Sequence, residues 1–398
     1  MKKVLVYQQR SKLKPTGGPS AIGYYYATEQ EKRGEHNFEY LKDFKTYSGL
    51  HESELSSLQK LPKWIGYLYN TIKQVVKFNI LLSGKYKLDP IDFNQYDIVH
   101  FHDTQGLYLR RFDLKDFKGK VILQSHSPQP LGQEMLDVIP SIVKFFIPFA
   151  RKRFEKMDKY SFERADIIIF PCPEAEEPYY NRWKDYRRIH ELKKESYRYV
   201  LTGIPACYPK HTREEVRTSI NIKDEDFMVC YVGRHNEIKG YDSLKRIGER
   251  FLSDNRDTWV VCAGKELPLK GLNHNHWIEI GWTTDAHSYI SASDVFVLPN
   301  KETYFDIVML EILSLGKIVV ASRTGGNKYF ERNGCEGVLL YEAEDEALKI
   351  LESLKKMSIE DREALGRKNK EFYEKYHTVA AMYDQYVNTL QELLNVSR

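Results

Sequence analysis

The stretch from Ala292 to Asn327 constrains this chain most. ASDVFVLPN is an apolar run closed by Pro299, which predicts a buried strand. KETYFDIVMLEILSLG follows, a short polar loop and then a helix over about 305–315 that Gly316 ends. KIVVASRTGGN begins with a second strand over 318–321. The helix therefore starts beside Thr303, Phe305 and Asp306, with Glu311 between one and two turns in. Free N–H groups and the positive dipole end make a helix start a seat for phosphate. A nearby carboxylate suits a pair of ribose hydroxyls, so the stretch points to a nucleotide.

The rest of the chain repeats this alternation. Short β-rich runs at 4–7, 37–40, 97–102, 121–126 and 166–170 alternate with helical stretches, which predicts parallel α/β units. A second set starts near residue 226, with strands over 227–232, 258–263, 277–280 and 337–341, and ends in a charged helical tail. At 398 residues, two domains with a boundary between about 200 and 215 are the economical parse. The division expected is residues 1–205, together with about 378–398, against 206–377.

Bulk composition excludes several classes. No apolar run approaches the ~20 residues of a spanning helix. MKKVLVYQQR lacks the apolar core and cleavage site of a secretory signal, and the five scattered cysteines read as buried reduced thiols. Both point to a cytoplasmic protein. No His, Cys, Asp or Glu cluster has metal-ligand spacing, so no metal and no cofactor are expected. The net charge of +4 is uneven: residues 1–200 carry an excess of nine basic residues, and the remainder an excess of five acidic ones. An anionic surface or acceptor is expected in the first half. No nucleic-acid motif accompanies that charge.

Gly233-Arg-His-Asn-Glu-Ile-Lys-Gly240 joins a strand to a helix. Arg234 and Lys239, five positions apart, can converge on one anionic group such as a diphosphate, or can be two solvated surface cations. The turn is neither a Walker motif nor GxGxxG, which disfavours a nicotinamide dehydrogenase.

Taken together, the GR-xxxx-KG turn, ASDVFVLPN, ETYFDIVMLEILSLG and SRTGGN resemble the C-terminal domain of family-4 retaining glycosyltransferases. The glycine-rich loop after the first strand and the strands ending at His102 and His126 resemble that family's first domain. The resemblance implies a GT-B fold, two Rossmann-like domains facing across a cleft, with the last helix crossing back to the first domain. It implies transfer of a sugar from a nucleotide sugar, UDP-linked, to an acceptor with retention of configuration. Arg234 and Lys239 would hold the diphosphate, Glu311 the ribose, and the amides around Phe305, Asp306, Ile307 and Val308 further phosphate oxygens. Gly17 and Gly18 would let the first loop approach the phosphates. His126 would sit near the transferred sugar, and His102 is either an acceptor-side residue or a structural histidine satisfied by loop backbone. Alternatives of the same fold are a nucleotide-sugar 2-epimerase and a non-catalytic binding partner.

The chain departs from the family pattern in two ways. The family spaces two glutamates with seven residues between them, but Glu302 and Glu311 have eight, and the seven-residue gap lands on Thr303. Either the loop carries one extra residue and Glu302 still reaches the sugar, or Thr303 has taken that place, which helix register favours. Asp306 stands where the family has glycine.

Of the other histidines, His235, His274, His276 and His287 read as loop or surface residues. Ile139 to Lys159 carries apolar residues at helical spacing, a crowd of cations in its second half, and Pro148 as a kink. It reads either as a core-facing stripe or as a segment resting on anionic lipid, and Trp64–Tyr86 repeats the ambiguity. A glycan or lipid-linked acceptor, met at the inner face of the cell membrane, fits the basic first half.

Overall fold

The computed structural model describes residues 3–8, 13, 15, 18–40, 62–84, 88, 90–126 and 129–395. The chain forms two compact units: Met1–Phe170 with Tyr179–Tyr199 and Val387–Arg398, and Pro171–Pro178 with Val200–Tyr386.

The first unit is built on β1 (Val4–Tyr7), β2 (Glu39–Tyr40), β3 (Ile98–Phe101), β4 (Lys120–Gln124), β5 (Ile167–Phe170) and β6 (Tyr197–Tyr199). They form one parallel sheet in the order β2-β1-β3-β4-β5-β6. β1, β3 and β5 are buried along their whole length, as expected of strands covered on both faces. Helices Gly18–Arg33, Lys63–Ser83, Thr104–Leu109, Leu131–Val138, Ser141–Phe146 and Ala150–Arg164 follow the first strands. The expected 139–159 helix is broken at 147–149, where Pro148 removes a donor. Its residues Ile139, Val143, Ala150, Phe154 and Met157 form a core with Phe78, Leu81 and Leu82 of helix Lys63–Ser83.

The second unit is built on β7 (Phe227–Val232), β8 (Thr258–Ala263), β9 (Trp277–Gly281), β10 (Val295–Leu298), β11 (Ile318–Ser322) and β12 (Val338–Tyr341), parallel in the order β12-β11-β10-β7-β8-β9. Phe227, Val229 and Tyr231 alternate toward Leu244, Ile247 and Phe251 of helix Tyr241–Asp254, which makes the core of one face. The start of β10 is pinned by Asp294. Its carboxylate accepts from Met228 N at 2.7 Å and from the buried Arg217 at 2.8 Å, with Arg213 at 3.1 Å on the other oxygen. The last helix, Val379–Asn395, begins in the second unit and ends in the first, where Lys120 Nζ donates to the Leu393 carbonyl at 3.2 Å. Among the described residues no helix is long and apolar enough to cross a membrane.

Candidate functional site

Strand order in the second unit reverses between β7 and β10. In an open parallel sheet, the loops leaving the C-terminal ends of two such strands diverge and leave a ligand-binding crevice. The loops here are residues 233–240 and 299–306, both singled out by sequence. Gly240, at φ 65°, caps helix Tyr241–Asp254, and a Cβ on it would lie 1.7 Å from the Pro299 carbonyl oxygen. Only glycine lets one loop end rest on the start of the other. A third loop joins them after β11: Gly325, at φ 44°, sits so close to the Thr303 carbonyl that a Cβ would be 1.8 Å from its oxygen.

Lys239 and Asp306 meet between these loops. Lys239 Nζ is 2.5 Å from Asp306 Oδ2, and Asn300 Nδ2 donates to the same oxygen at 2.7 Å. Burial works to raise the Asp306 pKa, but the ammonium outweighs it and holds the carboxyl below the usual range. Helix Ile307–Ser314 starts at the next residue, two positions later than its sequence periodicity predicts, and the Asp306 side chain does not cap it in hydrogen-bonding geometry. Ile307 and Val308 are half-buried at this helix start. Arg234 is exposed, and its guanidinium has no partner among the described residues. Phe305 is buried against Tyr329, Phe330 and His377, so its ring is core. Thr303 is 4% exposed beneath Gly325, and Glu302 beside it is half-buried.

Glu311 has a partner that sequence did not suggest. His287 Nε2 lies 3.7 Å from Glu311 Oε1, an ion-pair distance. The Cys207 sulfur first, and the Glu311 carboxylate second, push the His287 pKa up to about 10, so the ring is an imidazolium at neutral pH. Cys207 is also the one half-buried cysteine; the other four are buried.

His235 corrects another expectation. Of the loop or surface expected for it, the loop holds and the surface does not: it lies between β7 and helix Tyr241–Asp254 but is fully buried, stacked on Tyr241 with centroids 3.8 Å apart and planes 6° apart. Its backbone N–H donates to the Lys265 carbonyl and its carbonyl accepts from Leu269 N, which ties residues 265 and 269 to the 233–240 loop. Glu177 was missed altogether. Its carboxylate accepts from Gly325 N at 3.1 Å and Thr324 Oγ1 at 3.3 Å and pairs with Lys328, all from about 150 positions away in sequence. Nothing local to PCPEAEEPYY signals this.

The first unit has its own reversal, between β1 and β3. Gly18 opens helix Gly18–Arg33 after β1, while Gly17 lies outside the described residues. His102 follows β3 and His126 follows β4. His102 Nδ1 and His126 Nε2 are 2.8 Å apart, with rings stacked at 5.0 Å and 14°. Burial drives both pKa values down, His126 to about 3, so one neutral ring donates to the other.

Each unit is thus a doubly wound parallel sheet, and the second carries a cation, a helix start and a carboxylate at its reversal. Residues 212–372, within the second unit, match the family model described as Glycosyl transferases group 1. A UDP-Gal:alpha-D-GlcNAc-diphosphoundecaprenol alpha-1,3-galactosyltransferase of Escherichia coli is 26% identical over 149 residues, 34% of this chain and 37% of that protein. An uncharacterized glycosyltransferase of Methanocaldococcus jannaschii is 27% identical over 135 residues, 31% of this chain and 34% of that one. The chain thus spans about a third of the length of the curated relatives it matches. Among solved structures, Anabaena HepE in complex with UDP-glucose has a TM-score of 0.60 at 14% identity, covering 98% of this chain and 100% of that one. Sucrose-phosphate synthase of Thermosynechococcus elongatus has a TM-score of 0.62 at 18% identity, covering 100% of both chains. These likenesses establish the fold.

Proposed function

We propose that the protein transfers a sugar from a UDP-sugar to a glycan or lipid-linked acceptor, with retention of anomeric configuration. The meeting of Lys239, the start of helix Ile307–Ser314 and Glu311 at the reversal of the second sheet carries this reading. Arg234 and Lys239 bind the diphosphate and offset the charge that grows on it as the glycosidic bond breaks. The amides of Ile307 and Val308 take a phosphate oxygen, Glu311 takes the ribose hydroxyls, and Glu302 and Thr303 line the sugar end. Attack comes from the face the diphosphate leaves, and the diphosphate takes the acceptor proton, so no protein nucleophile is required. The donor side has precedent in HepE, which was solved with UDP-glucose, and the acceptor side in the E. coli relative, named for a diphosphoundecaprenol substrate.

A donor panel tests the reading. Purified protein is offered UDP-, GDP- and ADP-sugars, and nucleotide release is followed with Arg234→Ala and Glu311→Ala alongside. The expected result is release from a UDP-sugar, insensitive to chelator, with each variant reduced about 100-fold or more. Full activity in both variants overturns the site assignment.

A further inference from the structure

We infer that helices Lys63–Ser83 and Ser141–Phe146, with the start of Ala150–Arg164, form a face that binds the surface of an anionic lipid bilayer. The observation is a separation of apolar residues into two sets. The inner set, Phe78, Leu81, Val143 and Phe154 among them, is consumed by the core the helices share. The outer set is left outside that core: Trp64 is 68% exposed, Phe145 80% and Phe149 68%, with Tyr67 and Phe146 also exposed. Trp64, Tyr67, Leu68, Ile72 and Val76 recur at helical spacing along the part of the helix that precedes the buried Phe78, Leu81 and Leu82. Helix Lys63–Ser83 and helix Ser141–Phe146 lie against each other, so the exposed aromatics of both belong to neighbouring surfaces.

Charge identifies the occupant. Helix Lys63–Ser83 contains no acidic residue. Arg151, Lys152, Arg153 and Lys156 are exposed beside Phe149 and have no carboxylate partner among the described residues, whereas Lys159 is paired with Asp185 at 3.6 Å. A second copy of this chain would bring the same cations against themselves. An anionic headgroup layer meets the cations, and its acyl boundary receives the aromatic rings. Tryptophan and tyrosine suit that boundary because each has an apolar body and a polar tip. The helices lie in the interface and do not span it, since none is long and apolar enough.

The test is sedimentation of the full chain with vesicles of phosphatidylcholine, with and without phosphatidylglycerol, in the absence of any sugar donor. Binding is expected to the phosphatidylglycerol vesicles alone and to fall as salt rises. The double variant Phe145→Ser/Phe149→Ser and the triple variant Arg151→Ala/Lys152→Ala/Arg153→Ala each remove exposed side chains, and each is expected to weaken binding about tenfold or more. Circular dichroism checks that both variants are folded. Equal binding to both vesicles, no binding to either, or wild-type binding by both variants overturns the inference. So does a concentration-dependent dimer that becomes a monomer in Phe145→Ser/Phe149→Ser, because the face would then belong to a second copy. Vesicle binding is read without donor and nucleotide release without vesicles, so failure here is distinct from failure of the sugar-transfer reading.

Discussion

Lys239 and Asp306 face each other 2.5 Å apart across the point where the second sheet reverses its strand order. The ammonium assigned to a diphosphate is therefore already neutralised by a carboxylate at the helix start assigned to the same diphosphate. Bringing phosphate oxygens to this place sets like charges a few ångströms apart, and even at an effective dielectric constant of 20 that repulsion amounts to a few kcal/mol, about 4 at 4 Å. Water and movement of Lys239 relieve most of it. Asp306→Asn is thus expected to tighten UDP binding by about three- to tenfold, a gain of roughly 1 kcal/mol that shrinks as salt is raised. Calorimetric titration with UDP at two ionic strengths checks this, and weaker binding by the variant would show that Asp306 positions Lys239 productively.

His287 carries a charge whose effect on stability has a defined pH window. Its folded-state pKa of about 10 stands above the ordinary 6.5, raised by Cys207 and then Glu311. The stability it contributes is fully present below pH 6.5 and is lost as pH rises through 10. His287→Gln is expected to melt below wild type at pH 6, with the two melting curves converging by pH 10. The same substitution leaves Glu311 unpaired, so the donor KM is expected to rise about three- to tenfold with kcat nearly unchanged. Melting curves that stay parallel across that range would contradict the imidazolium.

How much of this was legible in the sequence depended on how local each signal is. β10, β11 and the helix between them follow from apolar runs and from Gly316, which reads φ 66° in the structure. The boundary error at residues 305–306 is tertiary in origin: Phe305 looks like a first helical residue, but it is drawn into the ring cluster of Tyr329, Phe330 and His377. Asp306 was visible as an anomaly, though nothing near it named Lys239. His287 and Glu177 gave no warning, because their partners lie 24 and about 150 positions away. The stripe over 139–159 shows the limit of periodicity. It marked Val143 and Phe154 as apolar, which they are, but could not tell the face that meets the core from the phenylalanines left outside.

Asp294 is the anchor of the stretch on which the proposed donor site stands. Its carboxylate serves Met228 N, Arg217 and Arg213, and Arg217 is almost wholly buried. Removing one partner leaves a guanidinium enclosed without its counter-charge, a loss of about 3–5 kcal/mol. Asp294→Ala is expected to lower the unfolding free energy by that amount, whereas Asp306→Asn, in the loop that follows β10, changes it by about 1 kcal/mol or less. Urea titrations of the two variants give the comparison. An Asp294→Ala protein as stable as wild type would mean that the Arg217 network contributes nothing net.

His102 and His126 share one hydrogen bond, 2.8 Å long, between rings that burial keeps neutral. With folded-state values depressed below the ordinary 6.5, the pair contributes stability that is complete above pH 6.5 and is lost as pH falls toward 3. Because neither ring titrates between pH 5 and 9 in the folded state, nucleotide release should show no inflection from this pair there. His126→Gln keeps a side-chain hydrogen-bonding group but cannot gain a proton in the unfolded state. It is expected to lessen the acid sensitivity of the protein while lowering turnover about ten- to a hundredfold, with UDP affinity little changed. Histidine chemical shifts that move between pH 5 and 8 would refute the neutral pair. A loss of UDP affinity matching the loss of turnover would instead move His126 from the sugar to the nucleotide.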